Sequence, residues 1–305
     1  MGITVIGEAN IDIAVKRHGD FLQGGCTPAE IRFHYGGVAR NIAHNLSLLG
    51  HKVRLMSVFG GDDFATRMMT DCQNAGIDLS LSTVFEQEKS PVFLSFNDET
   101  GNMQSALSDI GLNSHLNLDW LKGKIDAINR SEFVVADTLL TAEDLTYLID
   151  SCEVPLYIDT VSPKRAMLLS RALATSKKKS FAALKCNQAE ALALANKNDV
   201  TEATKTLNDK GIREVFVTLG EDGVIYGSQG KTQHFPSLPA QVVDVVGSGD
   251  AFLSGVVFAH ANGIVAENAV QMGLEAARIT VECEEPCSLR ISELLKTLRS
   301  FPNKD

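Results

Sequence analysis

Several features are scarce or missing in this sequence, and each absence removes a class of protein. Long apolar runs are missing: Val256-Val257-Phe258-Ala259 is broken by His260 and Asn262, well short of the roughly 18 residues a membrane span requires. The first residues carry Glu8, Asn10 and Asp12 and no basic stretch, unlike a secretion signal. Ile6 stands where a myristoylation motif needs Ser or Thr. These absences lead us to expect a cytoplasmic protein with no membrane partner. Positive charge is in deficit, 28 Lys and Arg against 38 Asp and Glu for a net charge of −10, and it clusters only in Lys177-Lys178-Lys179. A polyphosphate backbone finds no electrostatic footprint here, so no nucleic-acid partner is expected. The six cysteines, at 26, 72, 152, 186, 283 and 287, are spaced for neither a disulfide framework nor a zinc site. Only Cys283 and Cys287 lie close, without a second pair or a nearby His to complete a metal set. No H-E-x-x-H pair occurs among the seven His, which disfavours a His-based metallohydrolase. Proline is limited to 8 residues, and no repeat, low-complexity tract or linker divides the chain.

What is present is an alternation of short β-branched apolar runs with longer amphipathic stretches, the pattern of parallel strands joined by crossover helices. The runs end in informative residues. Ile3 to Ile6 leads to Gly7 and then Asn10-Ile11-Asp12; Phe133 to Ala136 ends in Asp137; Leu156 to Ile158 ends in Asp159. Ala182 to Leu184 reaches Lys185 and Asn187, and Val215 to Val217 reaches Thr218-Leu219-Gly220. In open α/β sheets ligands bind beyond the carboxyl ends of the strands, so these residues should gather along one functional edge. Two stretches break the rhythm, about 14–35 and 91–106, with Gly-rich turns, short alternating runs and a turn at Asp98-Glu99-Thr100-Gly101-Asn102. They suggest a small antiparallel appendage, placed to cover the strand ends or to pair with a second subunit. Residues 1–13, 36–90 and 107–305 would form the α/β body. Between the insertions, Gly36-Gly37 opens a helix whose buried stripe is Val38, Ile42, Leu46 and Leu49, with Asn41 and Asn45 on another face. The paired glycines suit close backbone approach to a ligand, and an ordinary glycine turn fits them equally.

The sharpest element is Asp244-Val245-Val246-Gly247-Ser248-Gly249-Asp250, followed by an apolar run. Gly247, Ser248 and Gly249 predict a turn whose amides, with that of Asp250, form the unpaired start of a helix, a natural seat for a phosphoryl group. Asp250 in that first turn would accept a proton from an attacking hydroxyl, or merely complement the helix dipole. Asn187 and Glu190 share a face of another starting helix, where one carboxylate acting through water would suffice for Mg2+; a plain helix cap is the alternative. Thr218, Gly220 and Gly223 form a strand-end loop able to admit a nucleotide, and equally a plain turn. Two rival phosphate motifs fail. Gly230-Lys231-Thr232 has Ile225 where a Walker loop needs Gly and reads as a hairpin tip, and Phe252 occupies the third glycine position of a dinucleotide fingerprint.

In this order, Asn10-Ile11-Asp12, Gly36-Gly37 with Asn41, Asn187 to Glu190, Thr218-Leu219-Gly220 and Gly247 to Asp250 resemble the ribokinase-like (PfkB) carbohydrate and nucleoside kinase family. The resemblance implies a three-layer α/β/α sandwich with a mainly parallel central sheet and a small β-sheet lid formed by the two insertions. It implies transfer of the γ-phosphoryl group of ATP, with Mg2+, to a primary hydroxyl of a small sugar or nucleoside. By it, Asp250 is the base and Gly247, Ser248 and Gly249 the anion hole. Asp12, Gly37 and Asn41 would hold substrate hydroxyls, with Asn10, Gly36 and Asp137 beside them. Asn187, Thr218, Gly220, Gly223 and Gly249 would line the nucleotide site and Glu190 would serve Mg2+, while a monovalent cation (K+) would sit near Asp244. The opening around Ala9 to Asp12, the helix from Gly36 and the lid segment around Leu94 resemble those members that phosphorylate pseudouridine at its 5′-hydroxyl. Ribose, another nucleoside, a fructose-like sugar, or a non-catalytic binding role are the alternatives. Thr27, Ser95 and Asp109 are candidates for contacts to the base, and a homodimer would form through the lid.

Overall fold

The computed structural model describes residues 2–20, 22, 24–99 and 103–298. Among the described residues fourteen strands follow in chain order: β1 (Ile3–Ile6), β2 (Asn10–Arg17), β3 (Ala29–Gly36), β4 (Val53–Met56), β5 (Val58–Gly60), β6 (Thr83–Phe85) and β7 (Val92–Asn97). The remainder are β8 (Met103–Asp109), β9 (Phe133–Asp137), β10 (Leu156–Asp159), β11 (Phe181–Asn187), β12 (Ile212–Thr218), β13 (Val224–Ser228) and β14 (Lys231–Phe235). Eight of them form the central sheet in the order β14-β13-β12-β11-β10-β9-β1-β4. From β12 to β4 the pairing is parallel, and β13 and β14 close one edge as an antiparallel hairpin. The turn of that hairpin is Gln229-Gly230, both at positive φ (52° and 73°), the geometry of a two-residue hairpin loop. Of the segment expected at the hairpin tip, Gly230 lies in the turn, while Lys231 and Thr232 already pair as strand residues.

Strands buried on both faces explain the near-continuous apolar runs. Successive residues point to opposite layers: Val135 of β9 joins the core beneath the Val38–Leu48, Ser248–Ala261 and Glu267–Val281 helices, while Val134 and Ala136 join the core beneath the Ala142–Ser151 and Pro163–Thr175 helices. The sheet is sandwiched between helix layers, the three-layer α/β/α architecture expected from the sequence. β1 lies between β4 and β9, so the chain leaves it first to one side and later to the other. This is a topological switch point, where a crevice opens at the carboxyl ends of the strands.

A separate four-stranded sheet, β3-β2-β7-β8, is built from both insertions. Its strands begin at Asn10 and end at Asp109, so residues 10–13, 36 and 107–109, assigned to the body from sequence, pair within the small sheet. Hydrogen bonding continues past the glycine and turn signals that suggested narrower limits. Thr100, Gly101 and Asn102 of the expected turn lie outside the described residues. A second difference concerns the Val38–Leu48 helix. Asn41 and Asn45 are as buried as its apolar stripe, at 4% and 0% exposure, because the Ser248–Ala261 helix covers the face they share.

Candidate active site

The Ser248–Ala261 helix is apolar on every side and buried from Asp250 to Ala259, as expected for a helix in the middle of a layer. Its start is held by Gly247 at φ 78°; a Cβ there would collide with the Pro286 carbonyl as well as oppose the backbone. The amide of Ser248 turns back to the Val245 carbonyl (3.2 Å), as does its hydroxyl (2.7 Å). Ser248 therefore contributes less to the anion seat than its place in the motif suggests, which leaves the amides of Gly249 and Asp250 at the helix end. Gly249 also admits a cation: a Cβ on it would lie 2.5 Å from Lys185 Nζ.

Lys185 is 8% exposed and donates to Asp159 Oδ2 at 2.9 Å. Burial opposes its charge, but Asp159, Asp250 and Glu190 together hold the ammonium above the ordinary lysine value. Asp250, also 8% exposed, accepts Asn41 Nδ2 on Oδ2 at 2.9 Å. Burial, then the charge of Asp159, raises its pKa to about 7, against the opposing pull of Lys185 and Asn41. A carboxylate poised near neutrality suits proton acceptance.

Across the switch point, Asn10 Nδ2 donates to Asp12 Oδ1 (2.8 Å), Gly36 pairs with Asn10 across the small sheet, and Gly37 caps the Val38–Leu48 helix. Asp137 is placed differently from the expected substrate contact. It is 1% exposed, and its two carboxylate oxygens accept the amides of Glu8 (2.7 Å) and Leu139 (3.0 Å). It anchors the turn after β1. Glu8, which the sequence pattern did not single out, instead offers its half-buried carboxyl there and accepts Asn113 Nδ2 at 2.9 Å.

Burial lifts the pKa of Glu8 to about 7 and those of Asp12 and Asp137 to about 6. A carboxyl group whose pKa is raised by folding binds more protons in the native state, so its stabilising contribution is complete at low pH and disappears as pH rises through the native pKa. We expect the melting temperature of the ligand-free protein to fall from about pH 4, where these carboxyls ionise in the unfolded chain, to about pH 7, where they have ionised in the native one, and Glu8→Gln to flatten that slope. An unchanged slope in Glu8→Gln, followed by differential scanning fluorimetry, would contradict it.

Asn187 and Glu190 form a full capping box: Asn187 Oδ1 accepts the Glu190 amide, while the Glu190 carboxylate accepts Asn187 N–H (2.8 Å), Asn187 Nδ2 (2.9 Å) and Thr160 Oγ1 (2.7 Å). A carboxylate offers about four lone-pair sites, so three donors leave room for a single water-borne contact. That fits an outer-shell role toward Mg2+; among the described residues no group of three or more His, Cys, Asp and Glu gathers to hold a metal. Thr218, Gly220 and Gly223 line a cavity of about 600 Å3 together with Ser248, Gly249 and Phe252. Asp244 Oδ1 accepts the Val246 amide at 2.9 Å. Of the base-contact candidates, Thr27 is engaged within its own loop. Asp109 pairs with Val92 and so lies on the face of the small sheet opposite Asp12, whereas Ser95 shares the Asp12 face. Among the described residues no helix is long and apolar enough to cross a membrane.

Fold and site together define a kinase acting on a small hydroxyl-bearing molecule. The model of the pfkB family of carbohydrate kinases matches residues 2–292, and the chain belongs to that family. It is a sugar or nucleoside kinase. A protein of Escherichia coli K12 named pseudouridine kinase is 28% identical over 289 residues, covering 92% of this chain and 91% of the relative. Ribokinase of Haemophilus influenzae is 26% identical, covering 92% of each. Among solved structures, a carbohydrate kinase from Agrobacterium tumefaciens superposes with a TM-score of 0.81 at 30% identity, over 99% of this chain and 98% of that one. Arabidopsis thaliana ribokinase, solved with ribose and ATP, gives a TM-score of 0.83 over 99% of each chain, and at 19% identity it speaks for the fold alone.

Proposed function

We propose that this protein transfers the γ-phosphoryl group of ATP to the 5′-hydroxyl of pseudouridine. The observation that carries the transfer is the placement of Asp250: a buried carboxyl group poised near neutrality, pinned by Asn41 at the start of an anion-receiving helix, with the Lys185 ammonium beside Gly249. The choice of acceptor rests on the likeness to the E. coli enzyme along nearly the whole chain.

In this reading the nucleotide occupies the cavity bounded by Thr218, Gly220 and Gly223, with Asn187 at its phosphate end. Asp12 and Asn10 hold ribose hydroxyls, and Ser95 faces the base. The free oxygen of Asp250 takes the proton of the attacking hydroxyl as its oxygen bonds to the γ-phosphorus and the bond to the leaving ADP oxygen breaks. The Gly249 and Asp250 amides and Lys185 balance charge on the transferring oxygens, and positioning supplies much of the rate. Glu190 would hold Mg2+ through water, and the metal would supply charge neutralisation on the phosphates. A monovalent cation would sit by the turn that Asp244 closes, so K+ should raise turnover over an equimolar large organic cation.

The deciding experiment measures ADP release from Mg·ATP with pseudouridine, uridine, ribose, adenosine and fructose. Preference for pseudouridine supports the proposal, preference for a free sugar removes it, and release with none identifies a binding protein.

The small sheet also suggests a homodimer. Phe33, Ile13, Leu94 and Leu107 stand in register across its four strands on the face opposite Asp12, and Ile31 and Val15 form the next row. Ile31, Phe33 and Leu107 are 55%, 58% and 63% exposed, an apolar face of the kind that subunit pairing covers. Sedimentation should give a dimer, and Phe33→Asp with Leu107→Lys should give a monomer; a native monomer at working concentration refutes the pairing.

A further inference from the structure

Behind Asn41 lies a residue that the transfer chemistry does not use. Arg40 is 4% exposed, yet its guanidinium reaches four parts of the fold. Nη2 meets Asp71 Oδ2 at 2.5 Å and His44 Nδ1 at 2.9 Å. Nη1 donates to the Tyr35 carbonyl of β3 at 3.0 Å and to Asn41 Oδ1 at 3.2 Å, and lies 3.6 Å from Cys287 Sγ. Asn41 then donates from Nδ2 to Asp250 Oδ2 at 2.9 Å.

The direction of this chain is set by chemistry. An amide side chain is nearly symmetric in shape, with an acceptor on one arm and a donor on the other, whereas guanidinium can only donate. Arg40 therefore fixes Oδ1 of Asn41 on its own side and turns Nδ2 toward the carboxylate. Were the amide to flip, its oxygen would face the Asp250 oxygen and the only relief would be a proton between them. His44 accepts from Arg40 and is held neutral, its pKa lowered to about 4 by burial and by the Arg40 charge. Asp71 balances the guanidinium from the neighbouring helix, so the Arg40 fork is clamped on both arms.

We propose that Arg40 is a positioning residue for the catalytic carboxylate: by orienting the Asn41 amide it pins one oxygen of Asp250 and leaves the other for the acceptor hydroxyl. This rests on the reading of Asp250 as the base. Arg40 touches neither substrate nor nucleotide in this role, and a fold-holding role alone would leave the protonation of Asp250 unmoved.

The test uses Arg40→Lys, which keeps the charge and the Asp71 pair but cannot span Asp71 and Asn41 as a planar fork does. Infrared titration of the Asp250 carboxyl, with Asp250→Asn as the blank, needs no acceptor; the midpoint should rise by roughly one unit in Arg40→Lys, because the donor bond from Asn41 that favours the ionised form is lost. With the acceptor that supports ADP release, kcat should fall about 10–100-fold, the range seen when a group orienting a functional side chain is removed, with KM for ATP little changed. In Arg40→Ala, added guanidinium should recover part of the rate by entering the cavity of about 650 Å3 lined by Tyr35, Arg40, His44, Asp71 and Cys287. Arg40→Lys and Asn41→Ala should be strongly non-additive. An unmoved carboxyl midpoint in folded Arg40→Lys, or additive losses, overturns the inference. Asp250→Asn with full turnover would instead overturn the base assignment, so the two failures are distinguishable.

Discussion

Asp250→Asn is expected to fold normally and to lose about 10²–10⁴ in kcat, the range associated with a lost general base. Asparagine retains the size of the side chain and a partner for Asn41 Nδ2, so the amide-to-carbonyl bond can persist. It cannot take the proton that the acceptor hydroxyl must release. As the proposed base Asp250 would act only when ionised, and with its pKa raised to about 7 the native rate should climb with pH through that value and level off above it. Asp250→Asn should leave a small residual rate without this limb. The remaining anion seat and lysine still favour charge on the phosphoryl oxygens, which is why the loss is large but not complete. Turnover equal to the native protein, measured as ADP release in steady state, would sink the assignment.

Lys185→Met should have the other large effect, on stability and turnover together. Its partner Asp159 is 1% exposed and receives Lys185 Nζ on Oδ2 and the Val161 amide on Oδ1. Taking away only the cation leaves a buried carboxylate without its counter-charge, a change that costs about 3–5 kcal/mol. Turnover should fall by about 10²–10³, the size of effect found when one charge-stabilising donor is removed from a transfer site. The double variant Lys185→Met with Asp159→Asn separates the two. A neutral pair should recover most of the stability, since a buried ion pair often adds little over uncharged groups, while turnover stays low. Recovery of both in urea unfolding and single-turnover assays would reduce Lys185 to a structural role.

The helix start at Gly247 was legible because its signals are local: small residues at the turn, an acid in the first turn, an apolar run beyond. So were the strand ends, since each apolar run finishes at a change of polarity. Lys185 and Asp159 stood at such ends, but their ion pair joins neighbouring strands β11 and β10 and exists only once the sheet orders them side by side. A lysine inside a strand otherwise buried from Phe181 to Cys186 was the available signal; such a charge is rarely buried without a partner. Asp137 was recognised as a strand-end acid, yet its carboxylate turns to the amide of a residue 129 positions earlier. Glu8 gave no periodic signal, and its importance comes from that same anchoring.

By itself, the amino-acid sequence determined the layered α/β class, the presence of a strand-end edge and the glycine-rich helix start before Asp250. These follow from periodicity, turn chemistry and capping, which act within a few residues. Tertiary structure decided which carboxyl groups are tied to backbone amides and which to side chains, which lysine stands beside Gly249, and which way the Asn41 amide points. Those outcomes depend on burial and on partners that only the parallel sheet and the packing of the Ser248–Ala261 helix bring together. Hydrogen-bond direction and desolvation are properties of assembled neighbours, and no spacing along one strand or helix encodes them.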